Sequence, residues 1–215
     1  MKRMFWLVFL AIAILISQSN AQLLRSYGVK LAYTSASQSF DYPHPPWPGF
    51  GPDLRRREGL CGGIYAEWLN MPFVSIVTEL DYVQRGMGQL LWVTMNDPRP
   101  LYSVIRENRL DYLSFPFLFR GTLPNGALSP YVFFGPRIDI LLSYRDEAIS
   151  GKSIYEDFKT TIWGGSAGVG VQLDTGLPEA FLLEFRYNSD FVNSYDTDLL
   201  KVSNNAFDIW LGVAF

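Results

Sequence analysis

Between Tyr27 and Phe215, bulky residues alternate with small or charged ones in eight separate runs. A period of two is what a strand shows when one of its faces is apolar and the other is not. In the last run, Phe207, Ile209, Leu211, Val213 and Phe215 share one face, opposite Asp208, Trp210, Gly212 and Ala214. The runs cover 27–36, 61–68, 73–85, 111–120, 130–144, 161–173, 180–190 and 206–215. Pro116 and Pro136 fall inside two of them; lacking the N–H that a ladder needs, they predict bulges or irregular pairing.

The joins between runs are alternately long and short. "LNMP", "LPNG" and "DTGLP" are turn-like, whereas long connections fall near 37–59, 86–109, 145–159 and 191–205. That rhythm predicts an all-β fold, an eight-stranded antiparallel up-and-down β-barrel with every long loop at one end.

The non-aromatic face collects the charges: Lys30, Glu67, Glu79, Asp81, Arg85, Arg120, Arg137, Asp139, Glu184, Arg186 and Asp208. Two barrels accommodate this pattern. A soluble lipocalin-like barrel would turn the charges to water and line an apolar ligand pocket with the aromatic face; a transmembrane barrel would put the charges in its lumen. Charged residues make up only 18% of the chain, against roughly 25% for soluble domains. Tyr27, Trp68, Tyr112, Tyr144, Trp163 and Tyr187 stand near run ends, as interfacial anchors do. Both observations favour lipid outside. Eight strands leave an interior only wide enough for side chains, so the inward charges are expected to form a paired lumen network that plugs the barrel.

The first residues read as an export signal. Lys2 and Arg3 precede an apolar run from Met4 to Ile16 and a small-residue exit at Asn20-Ala21. The expected division is a cleaved signal peptide over 1–21 and a barrel domain over 22–215. A net charge of -3 supplies no basic stripe for nucleic acid, and one cysteine, Cys61, makes neither an internal disulfide nor a metal cluster.

The runs "YGVKLAYT", "GLCGGIYAEWLNMPFVSIVTELDYVQRGMG", "LDYLSFPFLFR", "SPYVFFGPRIDILLSY", "AGVGVQL" and "FLLEFRYN" resemble the small outer-membrane β-barrel family of Bacteroidetes, which includes PorT-type barrels. The resemblance covers nearly the whole exported chain and consists of strand and turn patterns, with no catalytic signature. It implies a Gram-negative outer-membrane location, outer-membrane lipid as surroundings, and an accessory role toward protein-secretion components. It also implies that the terminal aromatic, Phe215, is read by the barrel-assembly machinery.

Candidate chemistry is sparse. "GGSAG" matches the G-x-S-x-G pattern around Ser166, but a nucleophile elbow needs a following helix, and "VGVQL" continues the strand alternation. The glycines read instead as small inward residues beside bulky neighbours. His44, the single histidine, lies in the loop "DYPHPPWPGF" and would be the general base of a lipid-modifying barrel enzyme, the competing reading. "DLRRRE" places Arg55, Arg56 and Arg57 near the outer end of the second strand, as a surface contact for lipopolysaccharide phosphates or as a solvated loop. No catalytic set, metal site or cofactor is expected.

Overall fold

The computed structural model describes residues 23–44, 53–69, 71–93, 102–146 and 154–215. The expected signal peptide, residues 1–21, lies outside them. Eight long antiparallel strands, each paired with its sequence neighbour, close into a barrel: β1 (Leu24–Asp41), β2 (Leu54–Trp68), β3 (Val74–Val93), β4 (Tyr102–Thr122), β5 (Leu128–Asp146), β6 (Thr161–Asp174), β7 (Ala180–Asp190) and β9 (Lys201–Ala214). A two-residue strand, β8 (Tyr195–Asp196), pairs with the start of β9. Closure is made by β1 against β9, from Gly28 opposite Ala214 to Asp41 opposite Lys201. Full closure leaves no unpaired edge, which is what a sheet needs to cross hydrocarbon.

The alternation sorts side chains between wall and lumen. Leu31, Phe134, Phe185, Phe207 and Leu211 are exposed on the outside, while Lys30, Arg137, Arg186 and Asp208 are buried inside. The aromatic face is therefore the outer one, and the apolar interior pocket of a lipocalin-like barrel is not formed. This is an eight-stranded antiparallel up-and-down transmembrane β-barrel.

Two apolar clusters sit inside at different heights. Tyr65, Val77, Leu118, Tyr131, Phe133 and Leu182 pack near the short turns, and Val83, Leu110, Tyr112, Ile162, Val202 and Trp210 pack toward the long loops. Room for the lower aromatics comes from β6. A Cβ at Gly168 would stand 2.5 Å from the Phe133 ring, and one at Gly170 would stand 2.4 Å from that of Tyr131. The short turns reverse the chain through left-handed backbone at Leu69 (φ 68°), Gly126 (φ 61°) and Gly176 (φ 77°).

Three features depart from the sequence expectation. First, β1 to β4 continue far into segments expected as loops: β1 reaches Asp41, β2 begins at Leu54, β3 ends at Val93 and β4 begins at Tyr102. Above the apolar band the strict alternation fades, with Gln38 beside Ser39 in β1, the charged run Arg55 to Glu58 in β2 and the unbroken apolar run Leu90 to Val93 in β3, although backbone pairing continues. Second, Pro116 and Pro136 cause no bulge, Pro116 pairing with Arg137 and Pro136 with Gly165 in constant register. Pairing is irregular beside them, for the β3–β4 pairs at Phe115 and Pro116 and the β4–β5 pairs at Gly135 and Pro136 are not formed. The register shifts fall elsewhere, between Leu24 and Ser26 of β1, between Arg56 and Gly62 of β2 and at Asp111/Tyr112 of β4. Third, Tyr112 is no interfacial anchor. It shares parity with Ser114 and Arg120 and is buried in the lumen.

Candidate functional site: the lumen and its two ends

Every long strand contributes at least one polar side chain to the interior, because each carries its charges at alternate positions facing inward. Arg186 of β7 occupies the middle. Its Nη1 donates to Glu79 Oε2 at 2.6 Å, and its Nη2 donates to Glu79 Oε1 at 3.0 Å and to Glu184 Oε2 at 2.9 Å. Lys30 Nζ completes the cluster, donating to Glu79 Oε1 at 2.7 Å and to Glu184 Oε1 at 2.9 Å, and Tyr131 donates to Glu184 as well. Two cations thus share two carboxylates through charge-assisted bonds, with a bidentate Arg–Glu fork at the centre.

Toward the loops lie two further clusters. Asp208 accepts from Thr34 Oγ1 at 2.5 Å, from Arg85 Nη1 at 3.2 Å and from Asn188 Nδ2 at 2.6 Å. Arg137 spans Asp139 at 2.7 Å and Asp190 at 2.6 Å, and Ser114 Oγ donates to Asp139. Toward the turns, Arg120 donates to Glu67 at 3.2 Å and to Gln172 at 2.8 Å, while its guanidinium lies 3.7 Å from the Tyr131 ring centre. Arg25 approaches the other oxygen of Glu67 at 3.3 Å from the rim.

The structure thus places Lys30, Glu67, Glu79, Asp81, Arg120, Arg137, Asp139, Glu184, Arg186 and Asp208 all in the lumen. It adds Asp190, whose side chain is only 1% exposed. Asp190, the last residue of β7, shares parity with Glu184 and Arg186 in the run 180–190, which already puts it on the charged face.

Asp81 is the poorly served member. Its Oδ1 is buried without a hydrogen-bond partner, and its Oδ2 lies 3.7 Å from Arg186 Nη1, a guanidinium already held by Glu79. Gly63 on the neighbouring strand makes room for it, since a Cβ there would stand 1.9 Å from Asp81 Oδ1. Asp81→Asn keeps the shape and removes a surplus buried charge. It is expected to stabilise the barrel by about 1 kcal/mol, read as a higher urea midpoint in detergent micelles; an unchanged or lower midpoint would show that the carboxylate is compensated.

The loop end is closed by side chains from the β5–β6 and β7–β9 connections. A short 3-10 helix, Ile154–Asp157, carries Tyr155 into the barrel mouth, where its ring lies 4.7 Å from Phe158. Both rings are buried, at 2% and 7% exposure. Tyr155 OH donates to Gln38 Oε1 at 2.9 Å, Gln38 Nε2 donates to Asn204 Oδ1 at 2.9 Å, and Asn204 Nδ2 donates to Asp190 Oδ2 at 2.8 Å. This chain ties the cap to Arg137 and so to the lumen network. Pattern reading missed Tyr155 and Phe158 because neither belongs to an alternating strand.

The other candidates remain apart. Ser166 faces the lumen and donates to Asn188 Oδ1 at 2.6 Å, on a strand with no helix after it. His44 is exposed beyond the end of β1 and is not the partner of Ser166. Cys61 is buried in the loop-side apolar cluster. Phe215 is 51% exposed on the outer wall and exchanges backbone hydrogen bonds with Tyr27 at the β1–β9 seam, 2.7 and 3.2 Å. Arg55, Arg56 and Arg57 lie within β2 rather than in a loop, and each has a different partner.

A closed barrel with an apolar outer wall and an ionic interior defines the class of small outer-membrane β-barrels. OprG from Pseudomonas aeruginosa has a similar fold, with a TM-score of 0.53 at 10% identity, covering 90% of this chain and 96% of that one. Neisserial surface protein A aligns over 88% of this chain and 97% of its own at 14% identity and a TM-score of 0.46. Ail of Yersinia pestis aligns over 88% and 98% at 13% identity and a TM-score of 0.44. No family model matches the sequence, and no curated protein is similar to it in sequence.

Proposed function

We propose that the chain is exported, assembled by the barrel-assembly machinery into the outer membrane of a Gram-negative cell, and works there without an open lumen and without catalysis. Its working surface is then the loop end, where the extensions of β1 to β4 stand above the apolar wall. The finer reading is a PorT-like accessory to protein secretion, with secretion-system components as partners of that end. The observation that carries the proposal is the filling of the interior. Arg120–Glu67 near the turns, Arg186–Glu79–Glu184–Lys30 in the middle, Arg137–Asp190 above it and Tyr155 with Phe158 at the mouth occupy the lumen in sequence. An eight-stranded barrel has no spare cross-section around such a column.

Protein from the outer-membrane fraction is expected to change gel mobility between unheated and boiled samples, and to give no ion steps in planar bilayers. Recovery in the soluble periplasm with no shift would overturn the membrane reading; discrete conductance would overturn the closed lumen. Deleting the gene is expected to lower the amount of secreted protein in the medium, and an unchanged secretome would remove the accessory role.

A further inference from the structure

On the outer face of β1 and β9, the apolar surface gives way to a polar one at a single level. Outward residues of β1 run Tyr27, Val29, Leu31, Tyr33 and then Ser35, Ser37, Ser39. Those of β9, read from its C-terminal end, run Val213, Leu211, Ile209, Phe207 and then Asn205, Ser203, Lys201. Ser35 stands opposite Phe207 in the ladder, so both strands change character at the same height. From Phe207 to Phe215 there are nine residues, in keeping with the about 9–11 a tilted strand needs to cross hydrocarbon. The Ser35–Phe207 level is the upper edge of the lipid band.

Arg56 is fixed at that edge. Its Nε donates to Ser35 Oγ at 2.9 Å, its Nη2 donates to the Ser35 carbonyl, and its guanidinium lies 5.1 Å from the Phe207 ring centre. Phe207 is itself supported by Tyr187 at 4.8 Å. Among the described residues Arg56 makes no ion pair, although it is exposed. Its neighbours differ. Arg55 lies 3.6 Å from Asp53, and Arg57, whose side chain is only 10% exposed, lies 3.7 Å from Glu107. A guanidinium held in place with no carboxylate to neutralise it, directly above hydrocarbon, is suited to a phosphate, for which its planar fork is preorganised.

We infer that Arg56 binds a phosphate of lipopolysaccharide, with an acyl chain of the same molecule lying on Phe207, Tyr33 and Ile209 below. The inference rests on the outer-membrane reading given above. The surface above Arg56 favours a glycolipid over a phospholipid. Hydroxyl and amide side chains, Ser37, Ser39, Ser203 and Asn205, continue up the wall. From Ser35 to the end of β1 at Asp41 the strand runs about 20 Å at roughly 3.3 Å per residue, about 15 Å of height at a barrel strand's tilt of about 40°, which sugars reach and a glycerophosphate headgroup does not.

The test uses the full exported chain in detergent, after its mobility shift has been recorded, so that failure of the outer-membrane reading is seen first and separately. Lipopolysaccharide is titrated by thermophoresis. Arg56→Gln is expected to bind about tenfold more weakly, the loss of one charge-assisted contact, and Arg55→Gln to bind like the parent. Dephosphorylated lipopolysaccharide should bind the parent as weakly as the intact lipid binds Arg56→Gln. Unchanged affinity in Arg56→Gln, an equal loss in Arg55→Gln, or equal competition by phosphatidylglycerol micelles would each overturn the inference. If Arg56→Gln loses the mobility shift, Arg56→Lys, which keeps the charge but not the fork, is read against the same expectations with a smaller loss.

Discussion

Arg186→Ala is expected to cost the barrel about 3–5 kcal/mol and to leave it non-conducting, because removing one partner of a buried ion pair strands the others. Arg186 is 3% exposed and supplies three hydrogen bonds to Glu79 and Glu184. Without it, Lys30 alone faces those two carboxylates, with Asp81 beside them. The vacated space also loses a guanidinium that lies 5.1 Å from both the Phe133 and Trp210 rings. The measurement is the urea midpoint of the folded band in lipid vesicles. Adding Glu79→Gln to Arg186→Ala should recover part of the loss, since it removes one of the stranded charges. The pore reading makes the opposite forecast, ordinary stability with new single-channel steps. The caps at either end predict that no such steps appear, because Arg120–Glu67 and Tyr155 are untouched by the substitution.

The barrel was legible because its wall repeats a simple constraint. Wherever a strand crosses lipid, one face must be apolar, and the period of two survives in the sequence from Tyr27 to Phe215. The inward charges were legible for the same reason, each falling on the parity of its strand opposite the aromatics. Where lipid ends, that constraint ends with it. The stretches 37–41 and 54–60 are strands, but Gln38 beside Ser39 and the charged run Arg55 to Glu58 break the alternation and made them look like loops. Parity places Asp190 on the charged face and would have placed Tyr112 correctly, but an aromatic near a strand end reads as an anchor. Tyr155 and Phe158 were beyond reach of any periodic argument. They enter the mouth from a connection, and only the assembled positions of Gln38, Asn108 and Asn204 show what they meet.

The arginine run shows how pairing converts a composition into separate roles. Three consecutive arginines read as one basic patch, yet consecutive residues of a strand point to opposite faces. The irregularity between Arg56 and Gly62 alters the local alternation further. The bulge also explains how its extra amide is used, for Leu60 N donates to Gln84 Oε1 at 3.2 Å instead of to a ladder carbonyl. A single cation, Arg56, is thereby left over the lipid edge.

Asp190→Ala is expected to be comparably severe in energy but different in kind, releasing the cap while the lower barrel stays paired. The carboxylate accepts from Arg137 Nη2 at 2.6 Å through one oxygen. Through the other it accepts from Asn204 N at 3.0 Å, Asn204 Nδ2 at 2.8 Å and Ser194 Oγ at 3.2 Å. Ser194 is fully buried and its backbone carbonyl accepts from Lys159 N, so one aspartate fastens both the β7–β9 connection and the segment that follows Phe158. Removing it leaves buried donors on three residues without an acceptor, and about 3–5 kcal/mol of local stability is expected to go with them. Because the Arg186 cluster shares no hydrogen bond with Asp190, the loss should be confined to the loop end. Brief proteolysis of the folded protein is therefore expected to cut the variant within 191–200 while the gel mobility shift persists, whereas the parent resists. Loss of the shift along with the cut would mean that cap and barrel unfold as one unit, and the loop end would then be part of the barrel's stability rather than a cover placed on it.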